Sequence, residues 1–331
     1  MASVCLVILL AMRAVTYEAF LRQQRSQLSW RPFAQARAIR AQDLAHLGRS
    51  MGNDAMLVTA WRQSEPQIEA YAQAVAEDLP PTRLEKLRLE CLPSLWDIAQ
   101  RLFLESDPGT ADSQPHTVAY GAYADLFLLC DSRGVVVLEE TSQADPEKPD
   151  FGKVSVQFPL DPSNDPAPWQ RSLANDSLFQ MAGQGPAHGT YWAYGPSHLY
   201  HAVAVPCPVG VIILGDRVDQ QMAQEASQLT GEADTAVLFQ GKMVASSQLK
   251  TTDEQAKAAA AWVPLLKQDQ PLEVEWAGRP YLAACYPLGQ SGWMVFLKST
   301  LELDALARQQ AWMLAGLLLL SPLISLAISA P

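Results

Sequence analysis

Two stretches, ADLFLLCDSRGVVV at Ala124–Val137 and ADTAVLFQGKMVAS at Ala233–Ser246, echo one another and decide the fold. Each opens on a short run that is apolar at successive positions, turns through a segment containing Gly, and resumes as a second apolar run. A run apolar on both faces reads as a strand at a sheet centre, and the turn makes it half of a β-hairpin. A second pair of blocks recurs in the same order, YHAVAVP at Tyr200–Pro206 and YLAACYP at Tyr281–Pro287. An apolar strand opened by Gly follows each, VGVIILGD from Val209 and GWMVFLKS from Gly292. Helical spacing comes next, at Val218, Met222, Ala226 and Leu229 in one copy and at Leu303 and Leu306 in the other. The chain therefore carries strand, strand, helix, strand, strand, helix twice.

The two blocks are offset by 109 and 81 residues, so the first copy holds 28 extra residues in its middle. Thr141–Pro168, dominated by Pro, Asp, Ser and Lys, reads as that irregular insertion, with one strand expected at Val154–Phe158. A helix is expected near Trp169–Met181 and a loop over Gly183–Gly189. Antiparallel strands interrupted by helices give an α+β lobe, a sheet covered by helices on one face.

Ahead of the repeat the chain is helix-like from Ala14 to Leu47, with Pro32 where a helical turn could begin and Gly48 as a stop. Leu84, Leu87, Cys91, Leu95, Ile98 and Leu102, in steps of three and four, share one face of a further helix. Glu105–Pro115 is a linker. No charge follows Arg308, and WMLAGLLLLSPLISLAIS after Ala311 is long enough to cross a hydrocarbon core, with a buried core helix as the other reading. Pro322 within it is tolerable in lipid. MASVCLVILLAM at Met1–Met12 is apolar, too short to span and without signal-peptide features, and is expected to be a transmembrane helix whose start is missing. The arginines from Arg13 to Arg40 oppose placing the following residues outside by charge counting.

The 331 residues suffice for two modest domains, and 49% hydrophobic against 18% charged is a globular balance. A net charge of -11 with scattered arginines excludes a phosphate-binding stripe, hence a nucleic-acid partner. Cys5, Cys91, Cys130, Cys207 and Cys285 show no CxxC spacing, and the last three sit in apolar strands, as buried thiols do. No HExxH, GxSxG or P-loop occurs, and Gly183–Gly189 lacks the lysine of a phosphate loop. His188, His198 and His201 match no zinc spacing. No catalytic residue, metal site or cofactor is expected. The segment GTYWAYGPSHLYH at Gly189–His201 is the densest in aromatics. Tyr191, Trp192, Tyr194, Tyr200 and His201 could line a ligand pocket, or could simply be good sheet formers.

This architecture resembles the double Cache sensory domains of bacterial receptors, in particular the double sensory domain of two-component sensor kinases and related cyclase receptors. The best-matching stretch is VGVIILGDRVDQQMAQEASQLTGEADTAVLFQGKMVASSQL, Val209–Leu249, and the resemblance covers roughly Ala14 to Leu320. It implies an α+β fold with a long N-terminal helix followed by two tandem PAS-like (Cache) lobes with antiparallel sheets, flanked by transmembrane helices. The expected divisions are 1–13, an N-terminal membrane segment; 14–104, a helical stalk and helices of the distal module; 105–215, the membrane-distal lobe; 216–303, the membrane-proximal lobe; and 304–331, a helix running into the C-terminal membrane segment. The resemblance further implies an extracytoplasmic, periplasmic small-molecule sensor in the inner membrane, with its output domain (histidine kinase, nucleotide or diguanylate cyclase, or chemoreceptor) outside these residues. The alternative is a freestanding membrane-anchored binding protein. The Arg-x-Trp-Tyr string of amino-acid-binding relatives is absent, and a homodimer paired along the first long helix is the expected assembly.

Overall fold

The computed structural model describes residues 29–80, 124–141, 172–182, 189–194, 198–231, 233–247, 271–276, 278–289 and 292–301, with single helical positions between 82 and 95 and at 309, 312 and 316. The chain forms two units, Ala34–Val218 and Met1–Phe33 with Asp219–Pro331, called here the first and second lobe. Their elements in chain order are α1 (Arg31–Gly52), α2 (Ala55–Ala76), β1 (Leu126–Cys130), β2 (Val136–Thr141), α3 (Ser177–Met181), β3 (Thr190–Tyr194), β4 (His198–Cys207), β5 (Gly210–Arg217), α4 (Gln220–Leu229), β6 (Asp234–Phe239), β7 (Lys242–Ser246), β8 (Leu272–Trp276), β9 (Arg279–Leu288) and β10 (Gly292–Ser299).

Each lobe is built on a five-stranded antiparallel sheet, ordered β2-β1-β5-β4-β3 in the first and β7-β6-β10-β9-β8 in the second. These are the same order, strand for strand, so the repeat read in the sequence is a repeat of topology. Two strands were not legible in the echo, the edge strands β3 and β8. Register also corrects its alignment. Leu126 faces Gly215 as Asp234 faces Leu297, and a bulge falls after Leu129 in one sheet and after Val237 in the other. The first strands thus correspond at 108 residues rather than 109, and the second strands at 107, because the turn before Val136 is one residue longer than the turn before Met243. A one-residue shift exchanges the two faces of a strand, so the correction matters for every side chain compared below.

In the first lobe β1 is buried throughout and β5 at all but its two end residues, as their apolar runs LFLLC and VIIL require. One face, with Phe127, Leu129, Val203, Val205, Ile212 and Leu214, packs on Ala41, Leu44, Met51, Leu57, Trp61 and Ile68 of α1 and α2. The opposite face carries Leu126, Leu128, Cys130, Val136, Trp192, Tyr194, Tyr200, Ala202 and Ile213. The turn between β1 and β2 is closed by Asp131, whose Oδ1 accepts from Arg133 N (2.9 Å) and Val135 N (2.8 Å). Asp54 caps α2, accepting from Met56 N (2.8 Å) and Leu57 N (3.0 Å).

Gly48 does not stop the first helix, which runs on to Gly52. Both glycines serve close approach instead. A Cβ on Gly48 would stand 3.0 Å from Val205 Cγ2, and one on Gly52 would stand 2.4 Å from Cys207 Cβ. The helix expected near Trp169–Met181 is only Ser177–Met181, with Ser172 bridged to Val135 as extended chain. Of the helix read through Leu84 to Leu102, Leu84 and Leu95 are helical and buried.

In the second lobe, Trp30 and Phe33 stack on Tyr286 (ring centroids 5.0 and 6.0 Å) and Phe33 on Phe296 (6.2 Å). α4 is capped by Asp219 and buries Met222, Ala223, Ala226 and Ser227. Cys130, Cys207 and Cys285 are free thiols. Among the described residues no helix is long and apolar enough to cross a membrane. The apolar runs 1–13 and 304–331 lie outside them apart from the three single positions, as do the insertion strand at 154–158 and Cys5 and Cys91.

Gly52→Ala is expected to destabilise the first lobe by about 1–3 kcal/mol, because overpacking against Cys207 outweighs the up to ~1 kcal/mol that Ala gains over Gly in a helix. Urea denaturation of the chain measures it, and an unchanged or higher midpoint would contradict the close approach.

Candidate functional site

Strand parity distributes the five aromatic-segment residues. Register pairs Tyr191 with His201, Trp192 with Tyr200 and Tyr194 with His198. Successive side chains leave a strand on opposite faces. Trp192, Tyr194 and Tyr200 therefore share the face away from α1, while Tyr191 and His201 lie on the face covered by α1. The structure brings the first three together and separates them from the last two. His198 falls with Tyr200, its ring 6.3 Å away, so His198 and His201 occupy opposite faces. His188 lies outside the described residues. Among those residues, no group of three His, Cys, Asp or Glu could hold a metal.

On the Trp192 face polar groups join the rings. Tyr194 donates its hydroxyl to Glu139 Oε2 at 2.9 Å, and both are buried. Glu139 is on β2 and Tyr194 on β3, the two edges of the sheet, so this single bond crosses the whole face and requires the sheet to curl. The floor beneath it is small: Ala202 and Gly215 are direct partners, and a Cβ on Gly215 would stand 3.2 Å from that of Ala202. Asp176 is a hub, its Oδ1 accepting from Leu178 N to cap α3 and its Oδ2 accepting from Trp192 Nε1, both at 2.8 Å. The Arg217 guanidinium stands 6.0 Å from the Tyr200 ring centroid, and its buried Nε has no hydrogen-bond partner among the described residues. Burial pushes the Tyr200 hydroxyl's pKa up, partly countered by its hydrogen bond to Arg217. Burial also lowers the His198 pKa, with Arg217 acting in the same sense.

The second lobe supplies an internal comparison. At the positions of Glu139, Trp192, Tyr194, Tyr200 and Arg217 it has Ser246, Val274, Trp276, Tyr281 and Ser299, matched by register. Only a ring at the Tyr194 and Tyr200 positions is common to both. Glu139, Asp176 and Arg217 escaped the sequence reading, which weighed aromatic density. No local signal marks Glu139: it opens the polar end of β2, VVLEET, and the bulge in the β1–β2 pairing interrupts the parity of that strand.

A second hollow, of about 760 Å³, lies at the end of the same lobe, lined by Trp61, Ile68, Arg133, Phe179, Cys207 and Pro208 among others. None of the five aromatic-segment residues borders it.

No known protein family matches the chain as a sequence profile, and no curated protein matches it. Solved structures to which it is similar are sensory or ligand-binding domains. The sensory domain of the Campylobacter jejuni chemoreceptor Tlp3 with isoleucine bound shares 13% identity over 87% of this chain and 95% of its own, at a TM-score of 0.35. A domain of a protein assigned to the sensory box/GGDEF family of Vibrio parahaemolyticus shares 10% over 86% and 97%, at 0.42. The ligand-binding domain of the Pseudomonas aeruginosa chemoreceptor PctB with L-Arg shares 16% over 78% and 94%, at 0.28. With every score below 0.5, the two-lobed fold rests on the strand order and not on these neighbours.

Tyr194→Phe is expected to cost about 1–3 kcal/mol, because it takes a hydrogen-bond donor from the buried Glu139 carboxylate. Adding Glu139→Leu should return most of that loss, since both partners are then apolar. Thermal melts of the single and double variants decide this; a double variant as unstable as the sum of the singles would contradict it.

Proposed function

We propose that this chain is the extracytoplasmic small-molecule sensing region of a membrane-anchored receptor, with its ligand taken by the first lobe on the Trp192, Tyr194 and Tyr200 face. One observation carries the reading. On the curled face of the first sheet Glu139 and Arg217 stand among rings, joined by Asp176 from the cap of α3, whereas the second sheet, of identical order, has Ser246 and Ser299 at the positions of Glu139 and Arg217. Burying a polar group without a full set of partners costs about 1–3 kcal/mol. A sheet that only needs to fold does without them, as the second does.

Rings on a small-residue floor supply apolar walls, and the few charged groups fix orientation, the usual composition of a small-molecule site. Arg217 suits an acceptor group on the ligand, and Glu139 with Asp176 a donor. Tyr191 and His201, placed with these residues when the segment was read as a sequence, belong to the seat of α1. The second lobe, without the charged set, fits a coupling role toward the apolar run at 304–331. In this reading that run and 1–13 cross the inner membrane, the lobes are periplasmic, the receptor works as a homodimer, and the output domain lies elsewhere. No catalytic group is assigned.

The test is a thermal-shift screen of small metabolites on the purified chain, followed by Trp192→Phe and Glu139→Gln in each hit. Glu139→Gln keeps the shape of the site and removes its charge, while Trp192→Phe removes the indole and its bond to Asp176; each is expected to weaken binding at least tenfold, about 1.4 kcal/mol. Hydrogen exchange should slow in residues 126–141 and 190–217. A ligand indifferent to both variants, or one that protects only residues 234–299, would place the site elsewhere.

A further inference from the structure

The opposite face of the first sheet carries a second cluster of charges that the ligand site does not use. Arg40 of α1 forms a two-point pair with Asp216 of β5, Nε to Oδ2 at 2.8 Å and Nη2 to Oδ1 at 2.7 Å. Arg37, one turn earlier, adds Nη1 to Asp216 Oδ2 at 3.5 Å. His201 of β4 is the direct cross-strand partner of Asp216 and is 3% exposed, and its Nδ1 has no hydrogen-bond partner among the described residues. From β3, the Tyr191 ring stands 4.9 Å from the imidazole, and Gly189 leaves room for it, since a Cβ there would stand 2.4 Å from His201 Nε2. Asp43 and Asp125 also act on Arg40. Two guanidiniums and one carboxylate thus face a neutral, buried imidazole beneath the helix.

The second lobe again shows that the fold has no need of this residue. Leu282 occupies the position of His201, pairing with Glu273 and Lys298 as His201 pairs with Tyr191 and Asp216, and is 1% exposed.

We propose that His201 makes the seating of α1 on the first sheet acid-sensitive: a proton on the imidazole adds a third cation beside the two guanidiniums that bind its cross-strand partner Asp216, and the helix loosens. The cluster would let this lobe respond to acidification by a route on the face opposite the ligand, independent of what the ligand site binds. Burial, followed by repulsion from Arg37 and Arg40, holds the imidazole pKa down at about 4 from its ordinary 6.5, with Asp216 acting against them. The sign follows from linkage. The folded state prefers the neutral ring, so the seat is at full strength above about pH 6.5, weakens as pH falls toward 4, and weakens no further below it.

Hydrogen exchange of the purified chain between pH 7 and pH 4, corrected for intrinsic rates, reads the opening of residues 34–52. Their protection should fall roughly a hundredfold or more across that range, from the difference between ordinary and buried pKa. In His201→Leu, which installs the second lobe's own solution, the drop should shrink to a few fold while protection at pH 7 is retained. His201→Gln, polar but not titratable, should flatten the profile too and serves if the leucine variant does not fold. The same acid drop in either variant would overturn the proposal, as would a wild-type helix whose protection does not change between pH 7 and pH 4.

Discussion

The antiparallel pairing of β1 with β5 is the contact on which the rest depends. It joins LFLLC to VIIL with every residue buried, places β2 and β4 on either side, and so fixes which face each neighbouring side chain takes. Strand geometry leaves no freedom afterwards. Once Leu126 faces Gly215, parity carries Tyr200, Trp192, Tyr194 and Glu139 to one side and His201, Tyr191 and Asp216 to the other. Two polar clusters a few ångströms apart along the chain become two separate environments, divided by the thickness of a sheet.

The two lobes act as controls for each other because they share a strand order while differing in what their faces contain. Burial of charged groups works against folding unless they are paired, and the first lobe keeps several on both faces. On one face Tyr194 and Glu139 tie the edge strands together over a floor of Ala202 and Gly215, and on the other Arg37 and Arg40 tie α1 down through Asp216. The corresponding positions of the second lobe are Trp276, Ser246 and Lys298. Equal topology with unequal polarity is what supports the proposed division, a ligand site on the first lobe and a coupling role for the second.

α1 reaches its sheet through two kinds of contact. Gly48 and Gly52 bring the backbone close to Val205 and Cys207, a matter of volume, while Arg37 and Arg40 meet Asp216, a matter of charge. Packing of this closeness is intolerant of added atoms, whereas the ionic seat beside His201 is where the proposed response to protons would act. One helix therefore meets its sheet by volume at one end and by charge at the other.

The sequence by itself determined the class and the repeat. Apolar runs such as ADLFLLC and VGVIILGD are unbroken because central strands are buried on both sides, and that pattern survives without any coordinates. The aromatic segment Gly189–His201 likewise lies on two paired strands, β3 and β4. Only the tertiary structure decided the rest. Pairing with β5 and β10 moved the correspondence of the first strands by one residue, and the longer turn before Val136 moved that of the second strands by one more, neither of which composition records. Gly48 was legible as a helix stop but is a contact, since no local signal distinguishes a glycine that ends a helix from one that lets it approach a sheet. Glu139 meets Tyr194 only across the curled sheet, and Arg37 meets Asp216 only where α1 lies on its other face, long-range contacts that no local pattern in the sequence records.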